Sequence, residues 1–162
     1  MAKKLAKTNA ARLLDKHKMA YEIITYDKDG AVDGASVAAQ IGYPPEAVYK
    51  TLVARGTSGE VFVFVIPVVE ELDLKRAAKA AGEKKVELVA VKEIQALTGY
   101  IRGGCSPLGM KKEFSTFLSE EAEKRDFMIV SAGKIGMQLK VAPADLKQVA
   151  GAAYAQLVAE ES

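Results

Sequence analysis

Three consecutive segments, Val48-Tyr-Lys-Thr-Leu-Val-Ala54, Gly56-Thr-Ser-Gly59 and Val61-Phe-Val-Phe-Val-Ile66, carry the clearest secondary-structure signal in the chain. Two runs rich in β-branched and aromatic residues flank a glycine-bearing turn, which predicts a β-hairpin. The second run has no polar face, so we expect other elements to cover this strand on both sides. In the first run, strand alternation puts Lys50 on an otherwise apolar face with Leu52.

Helical and strand patterns alternate along the rest of the chain. Apolar spacing, capping residues and glycine stops predict helices over residues 9–18, 35–41, 74–81, 91–97, 119–125 and 143–158. Strand patterns cover residues 21–26, 113–118, 127–130 and 138–141, with a loop at 27–34 and a glycine-bearing turn at 131–136. The sequence shows no linker or repeat. We therefore expect one mixed α+β domain over residues 1–162, with helices flanking the sheets.

The composition is that of a globular protein with a small positive charge. Of the 162 residues, 49% are apolar and 27% are charged, and the formal net charge is +2. Any nucleic-acid site must then be a local feature of the surface. The apolar run at 61–69 is too short for a membrane helix of about 20 residues, and the charged N-terminus lacks the apolar segment of a signal peptide. We expect a cytoplasmic protein with neither a membrane nor DNA as partner.

The chain has a single cysteine, Cys105, and a single histidine, His17. These counts exclude an intramolecular disulfide and a multi-cysteine zinc site, and they leave no convincing serine–histidine–aspartate set. Cys105 is either a nucleophile with a pKa lowered by nearby N–H groups or an inert buried thiol. We expect no metal or other cofactor. Catalysis would then depend on positioning, backbone donors or a reacting group of the substrate.

A glycine-rich loop spans residues 98–110, Thr-Gly-Tyr-Ile-Arg-Gly-Gly-Cys-Ser-Pro-Leu-Gly-Met. Adjacent glycines let a ligand approach the main chain, and the hydroxyl of Ser106 adds a polar group. A phosphate-binding P-loop is excluded because Met110 and Lys111 stand where lysine and Ser/Thr are required, and the dinucleotide fingerprint is missing. Two interpretations stay open. The loop either presents N–H groups to a ligand or is a tight connector that needs glycine for its shape.

Four other residues are candidates for ligand contacts, each with a structural alternative. Lys50 would bind a phosphate or ribose oxygen or stabilise developing negative charge, or else extend its ammonium into solvent from the strand. Tyr26 would stack on a base or hydrogen-bond a substrate, or else pack in the core. Ser131 and Gly133 would form another wall of the pocket, or else only shape a turn.

Six short motifs in a fixed order give the chain a resemblance to a known family. They are Ile24-Thr-Tyr26, Val48-Tyr-Lys-Thr-Leu52, Leu72-Asp-Leu-Lys75, Thr98-Gly-Tyr100, Gly103-Gly-Cys-Ser-Pro-Leu-Gly109 and Ser131-Ala-Gly133. Together they resemble the YbaK/EbsC family of bacterial Cys-tRNA(Pro) deacylases, which is related to the editing domain of prolyl-tRNA synthetases. The resemblance implies a mixed sheet, partly closed into a barrel and flanked by helices. It also implies an enzyme that removes a wrongly attached amino acid from the 3′ end of a tRNA, with prolyl-tRNA synthetase as a partner.

The resemblance also implies a mechanism and a set of site residues. Lys50 matches the essential lysine of the family, which contacts the terminal adenosine end of the tRNA. Gly103 and Gly104 would supply main-chain contacts near the scissile ester. The thiol of the misattached cysteine would attack its own ester and leave as a thiolactone, which requires no protein base. The other implied or candidate substrate-binding residues are Tyr26, Thr51, Val53, Ser106, Ser131, Gly133 and Gln138.

Two positions depart from a cysteine-specific member of the family, which has aspartate where Gln138 stands and arginine where Ile135 stands. Relatives with this fold cleave alanyl and other aminoacyl esters with water. Three interpretations therefore stay open from the sequence. The chain is a cysteine-specific deacylase, a deacylase for another amino acid such as alanine, or a non-catalytic module that binds tRNA ends or nucleotides.

Overall fold

The structure is a computed structural model that describes residues 7–27 and 34–159. Most of the predicted loop at 27–34 lies outside these ranges. The strands are β1 (Tyr21–Thr25), β2 (Tyr49–Gly56), β3 (Val61–Pro67), β4 (Val86–Leu88), β5 (Ser115–Ser119), β6 (Met128–Lys134), β7 (Met137–Val141) and β8 (Ala153–Ala155). The α-helices are α1 (Asn9–Lys16), α2 (Gly34–Ile41), α3 (Leu74–Ala81), α4 (Val91–Thr98) and α5 (Pro143–Ala150), and short 3₁₀ turns cover Pro45–Ala47 and Glu120–Lys124.

The larger sheet has five strands in the order β4-β2-β3-β5-β8. β2 and β3 form the predicted antiparallel hairpin, in which Lys50 lies opposite Ile66. β3 pairs with β5 in parallel, and β5 pairs with β8 in parallel. The residues of β3 after Val61 are all buried, so the prediction of a strand covered on both sides is confirmed.

The smaller sheet has three antiparallel strands in the order β1-β7-β6. A parallel bridge between Val48, just before β2, and Ile129 of β6 connects the two sheets. The predicted mixed α+β class, with helices outside the sheets, is confirmed. The strands that the structure describes form two sheets joined at this bridge and do not close into a barrel.

The two faces of β3 pack in two different apolar clusters, because successive side chains of a strand point to opposite faces. Val63 and Val65 pack in one apolar cluster with residues of α1 and the smaller sheet. Phe62, Phe64 and Ile66 pack in a second cluster with residues of α3. Each such fully buried side chain stabilises the fold by about 1.5–3 kcal/mol. The antiparallel pairing of β2 with this buried strand sets the position of Lys50 opposite Ile66.

The predicted caps set the bounds of α3. The Asp73 carboxylate accepts hydrogen bonds from the backbone N–H groups of Lys75 and Arg76, and Gly82 ends the helix in the left-handed conformation with φ +70°. The prediction of a helix between Asp73 and Gly82 is therefore confirmed. Within residues 7–27 and 34–159, none of the helices has the length and apolar character that crossing a membrane demands.

Two sequence-based boundaries are wrong, and the short strands β4 and β8 were missed. Residues 131–134 continue β6 instead of forming a turn, since Gly133 lies in an irregularity of the β6–β7 ladder that absorbs its positive φ of 108°. The final helix ends at Ala150 instead of residue 158, because Gly151 adopts the left-handed conformation that terminates it. The short edge strand β4 was not predicted, since three residues give too little periodicity to detect.

Candidate functional site

Lys50, Ser131 and Gln138 lie on adjoining faces of the two sheets. Ser131 and Gln138 are directly paired between β6 and β7, and both alternate with residues that point into the core. Lys50 comes two residues after Val48, and Ser131 comes two residues after Ile129, which is the partner of Val48 in the parallel bridge. The bridge therefore brings the lysine of one sheet alongside the polar pair of the other.

The Lys50 side chain is half-buried on β2. Its cross-strand neighbour Ile66 is apolar and fully buried. Within residues 7–27 and 34–159, no carboxylate or hydrogen-bond acceptor is paired with its ammonium. A cation that is partly withdrawn from water and has no protein counter-ion is suited to an anionic ligand or to developing negative charge.

Two buried side-chain oxygens in this region lack a hydrogen-bond partner within the part of the chain that the structure describes. Oε1 of Gln138 is unpaired although the residue is only 7% exposed, and Oγ1 of Thr51 is unpaired as well. Leaving such a group unsatisfied costs about 1–3 kcal/mol, which native proteins seldom accept without a reason. A bound ligand that donates a hydrogen bond to Gln138 would remove this cost.

The glycine-rich loop packs against the end of the β6–β7 hairpin. A Cβ atom added at Gly104 would lie 3.0 Å from the backbone N of Ile135 and 3.0 Å from Cα of Lys134. Gly103 faces the side chain of Ile135, which would lie 3.6 Å from an added Cβ. Glycine at these positions lets two backbone segments meet closely. The contact places Gly103 and Gly104 beside the strand that carries Ser131.

Tyr100 holds the loop against β6. Its hydroxyl donates to the carbonyl oxygen of Leu108 at 2.7 Å. Its ring occupies the space beside Gly133, where an added Cβ would lie 2.8 Å from Tyr100 Cε1. Tyr100 belongs to one of the six sequence motifs, but the motif alone assigns it no role. Its supporting function could not be found without the tertiary contact to Gly133.

Hydrogen bonds inside the loop limit what it can offer a ligand. The backbone N–H of Gly104 donates to the carbonyl oxygen of Ile101 at 3.0 Å, so it is already engaged. The backbone N–H of Gly103 has no protein acceptor in the described part of the chain. Ser106 is fully buried, and its Oγ accepts a hydrogen bond from the Leu108 N–H. Among these residues, Gly103 remains the donor open to a substrate, and Ser106 supports the loop.

The structure does not bring all the remaining predicted site residues to the face of β2 that carries Lys50. Tyr26 follows β1, and its backbone N–H donates to the carbonyl oxygen of Gly136 at 2.9 Å, which holds it at the β6–β7 hairpin. Thr51 and Val53 lie on the face of β2 opposite to Lys50, because strand residues alternate. Val53 packs with Tyr100 under the glycine loop. The structure therefore gives Val53 a supporting position and places Tyr26 near the polar pair.

Cys105 is buried and is not poised for nucleophilic attack. It packs with Val53 and Tyr100, and burial raises the pKa of its thiol to about 11. A thiol with this pKa is protonated at neutral pH and is a poor nucleophile. His17 caps the exposed C-terminal end of α1. Among the described residues, no group of three or more His, Cys, Asp or Glu side chains is arranged to hold a metal ion.

We expect Cys105→Ala to retain near wild-type activity, because the thiol contacts core residues and is protonated at neutral pH. Alkylation of the native protein by iodoacetamide should be slow at pH 8 and should accelerate as the pH rises toward the raised pKa. The same protein unfolded in urea is the control, since its thiol returns to a pKa of about 8.5. Loss of activity in a folded Cys105→Ala variant would instead indicate that the thiol is the nucleophile.

Comparison with known proteins decides the family. The aminoacyl-tRNA editing domain family matches residues 29–149. The chain belongs to this family. A relative from Enterococcus faecalis, named as a candidate Cys-tRNA(Pro)/Cys-tRNA(Cys) deacylase, EbsC, is 44% identical over 164 residues, which covers 99% of this chain and 100% of the relative. The YbaK/EbsC resemblance and the prediction of an aminoacyl-tRNA deacylase that acts in editing are thereby confirmed.

Solved structures show the same fold at lower identity. One is described as a candidate trans-editing enzyme for prolyl-tRNA synthetase, with a TM-score of 0.82, 20% identity, and coverage of 94% of this chain and 96% of the other. Another, the hypothetical protein APE2540, has a TM-score of 0.86, 22% identity, and coverage of 94% of this chain and 100% of the other. At these identities, the likeness shows the architecture of the editing domain alone.

Proposed function

We propose that this protein is a cytoplasmic trans-editing deacylase that removes cysteine from Cys-tRNA(Pro), with all 162 residues acting as one editing domain. The observation that carries the proposal is the 44% identity to EbsC, whose name refers to this substrate, over the full length of both chains. Prolyl-tRNA synthetase is the proposed partner, since a solved protein with the same fold is described as a candidate trans-editing enzyme for that synthetase.

The proposed reaction uses the thiol of the substrate. Its thiolate attacks the carbonyl carbon of its own ester, the new C–S bond forms, and the bond to the ribose oxygen breaks. The ribose oxygen takes a proton from water, and cysteine leaves as a cyclic thiolactone. A free thiol has a pKa of about 8.5, so enough thiolate is present near neutral pH without a protein base. The burial of Cys105 is consistent with a mechanism in which the substrate, and not the protein, supplies the attacking thiol.

The protein's part in this reaction is to position the ester and stabilise charge. The Lys50 ammonium, which no described carboxylate neutralises, would stabilise the negative charge that develops on the oxygens of the ester. The Gly103 N–H would donate to the carbonyl oxygen, and the unpaired Oε1 of Gln138 would accept a hydrogen bond from the substrate α-ammonium. One such preorganised donor contributes about 3–4 kcal/mol in characterised enzymes.

The test compares Cys-tRNA(Pro), Ser-tRNA(Pro) and Ala-tRNA(Pro) under single-turnover conditions between pH 6 and pH 9. We expect cleavage of the cysteinyl ester, at a rate that rises with pH toward the thiol pKa of about 8.5. The seryl ester should be at least about 100-fold slower, because a hydroxyl forms far less of the anionic nucleophile at this pH. Equal cleavage of the alanyl ester would contradict the thiol mechanism and favour a water-based deacylase.

A further inference from the structure

Carboxylates are missing from the three chain segments that build the candidate site. Residues 47–59, 94–112 and 127–144 make up almost a third of the chain and contain none of its 21 Asp and Glu residues. These segments contribute Lys50, the glycine-rich loop and the β6–β7 hairpin. The net charge of only +2 hides this local asymmetry. The ionised side chains of these segments are therefore all positive, in a protein that is nearly neutral overall.

The fold places three of the four exposed cations of these segments at the glycine-rich loop. Arg102 precedes Gly103, and Lys134 lies where the hairpin meets Gly104. Lys111 closes the base of the loop, since its backbone N–H donates to the carbonyl oxygen of Thr98 at 2.9 Å. We call Arg102, Lys111 and Lys134 the basic rim. All three side chains are exposed.

No described carboxylate neutralises the basic rim. The ion pairs in the described ranges involve cations elsewhere, namely Lys7, Arg55, Arg76, Lys85 and Lys140. Two of these cations belong to the site segments and pair with carboxylates of other elements: Arg55 with Glu93, and Lys140 with Glu22. Exposed cations that form no ion pair stay available to a polyanion.

We propose that the basic rim binds the backbone phosphates of the tRNA acceptor end, while the aminoacyl ester enters beside Lys50. The inference rests on the proposed function and assigns a surface to its substrate. It follows from position, because Arg102 precedes Gly103, and Lys134 lies where the hairpin that carries Ser131 meets Gly104. It also follows from chemistry, because phosphates are attracted by lysine and arginine and repelled by carboxylates, which these segments lack.

The proposal can be tested by RNA binding alone, because a protein that contacts phosphates releases the counter-ions of the RNA and so binds with a salt-dependent affinity. Each phosphate contact adds about 0.7–0.9 to the slope of log affinity against log salt concentration. The variant R102A/K111A/K134A should therefore bind uncharged tRNA(Pro) roughly 10- to 100-fold more weakly at 50 mM salt, with a slope lower by about 2–3. The measurement is fluorescence anisotropy with labelled tRNA(Pro) and the full chain across a salt series.

The matched control removes the same charge from another surface. Lys75, Lys79 and Lys84 lie on or just after α3 and are exposed, so K75A/K79A/K84A should keep wild-type affinity and slope. Equal losses in the two triple variants would overturn the proposal, because they would show a general charge effect. Unchanged tRNA binding with weakened binding of prolyl-tRNA synthetase would overturn it as well, and would make the rim a protein interface.

A minimal substrate separates this proposal from the proposed function. Cysteinyl-adenosine carries the ester without the acceptor phosphates, so the basic-rim variant should cleave it at the wild-type rate while its KM for Cys-tRNA(Pro) rises. If the wild type cleaved neither substrate, the proposed function would fail, and the anisotropy series would still decide whether the rim binds RNA. Equal KM values for Cys-tRNA(Pro) in the wild type and the rim variant would contradict the proposal.

Discussion

Replacing Lys50 by alanine is expected to lower the single-turnover rate of Cys-tRNA(Pro) deacylation by roughly 100- to 1000-fold, the usual cost of losing one preorganised charge-stabilising group. Lys50 is half-buried on the strand that the Val48–Ile129 bridge brings alongside Ser131 and Gln138, and no described carboxylate pairs with its ammonium. The loss should appear in the rate of the chemical step more than in KM, because the charge that Lys50 is proposed to stabilise grows as the ester reacts.

Two further variants make this result specific. Lys50→Met keeps an apolar side chain of similar length and should be as inactive as Lys50→Ala, which would assign the effect to the charge. Lys124→Ala removes an exposed lysine from the 3₁₀ turn at Glu120–Lys124 and should leave the rate unchanged. Thermal unfolding should be similar in all variants, since Lys50 makes no hydrogen bond or ion pair within residues 7–27 and 34–159. A fully active Lys50→Ala variant would contradict the proposed role.

Replacing Gly109 by alanine is expected to destabilise the fold by about 2–5 kcal/mol, the combined cost of a left-handed alanine and of overpacking. Gly109 has φ +72°, and an added Cβ would lie 2.9 Å from the Tyr100 hydroxyl oxygen. It would also lie 3.0 Å from the carbonyl carbon of Asn9 and 3.1 Å from the backbone N of Ala10, in the first turn of α1. Backbone atoms of a helix cannot move aside as a flexible side chain can.

Gly42 is the matched control, because its φ of +75° is nearly the same and an added Cβ meets nothing within 4 Å. Gly42→Ala should therefore cost only about 1–2 kcal/mol, which reflects the left-handed conformation alone. The difference between the two variants isolates the contact with α1. Urea unfolding followed by circular dichroism measures both. Equal free energies of unfolding for the two variants would show that the loop withdraws from α1 at no cost.

The sequence predicts those parts of the fold that depend on local signals. The hairpin of β2 and β3 follows from two apolar runs and a glycine turn, and α3 follows from Asp73 and Gly82. The prediction of a turn at Gly133 is wrong, because a glycine within a strand gives the same local signal as a turn. The reason for this glycine is the ring of Tyr100, which packs beside it. The end of α5 at Ala150 depended on Gly151, which periodicity alone did not recognise as a stop.

Candidate site residues could be named from the sequence, but their arrangement could not. Strand alternation alone separates Lys50 from Thr51, since neighbours on a strand point to opposite faces. The engagement of the Gly104 N–H by Ile101 and the unpaired oxygen of Gln138 depend on contacts that no local pattern encodes. The absence of Asp and Glu from residues 47–59, 94–112 and 127–144 can be read from the sequence. Only the fold shows that these three segments contribute to one site.

Hydrogen bonds hold the glycine-rich loop in one conformation before substrate binds, and this lowers the entropic cost of binding. The loop is closed at its base by the hydrogen bond from Lys111 to Thr98 and across its width by the one from Tyr100 to Leu108. Its conformational entropy is therefore lost when the chain folds and not when the tRNA arrives. When the tRNA binds, none of the interaction energy is needed to order the loop, so it can serve to align the ester. A loop that became ordered only around its substrate would lack this advantage.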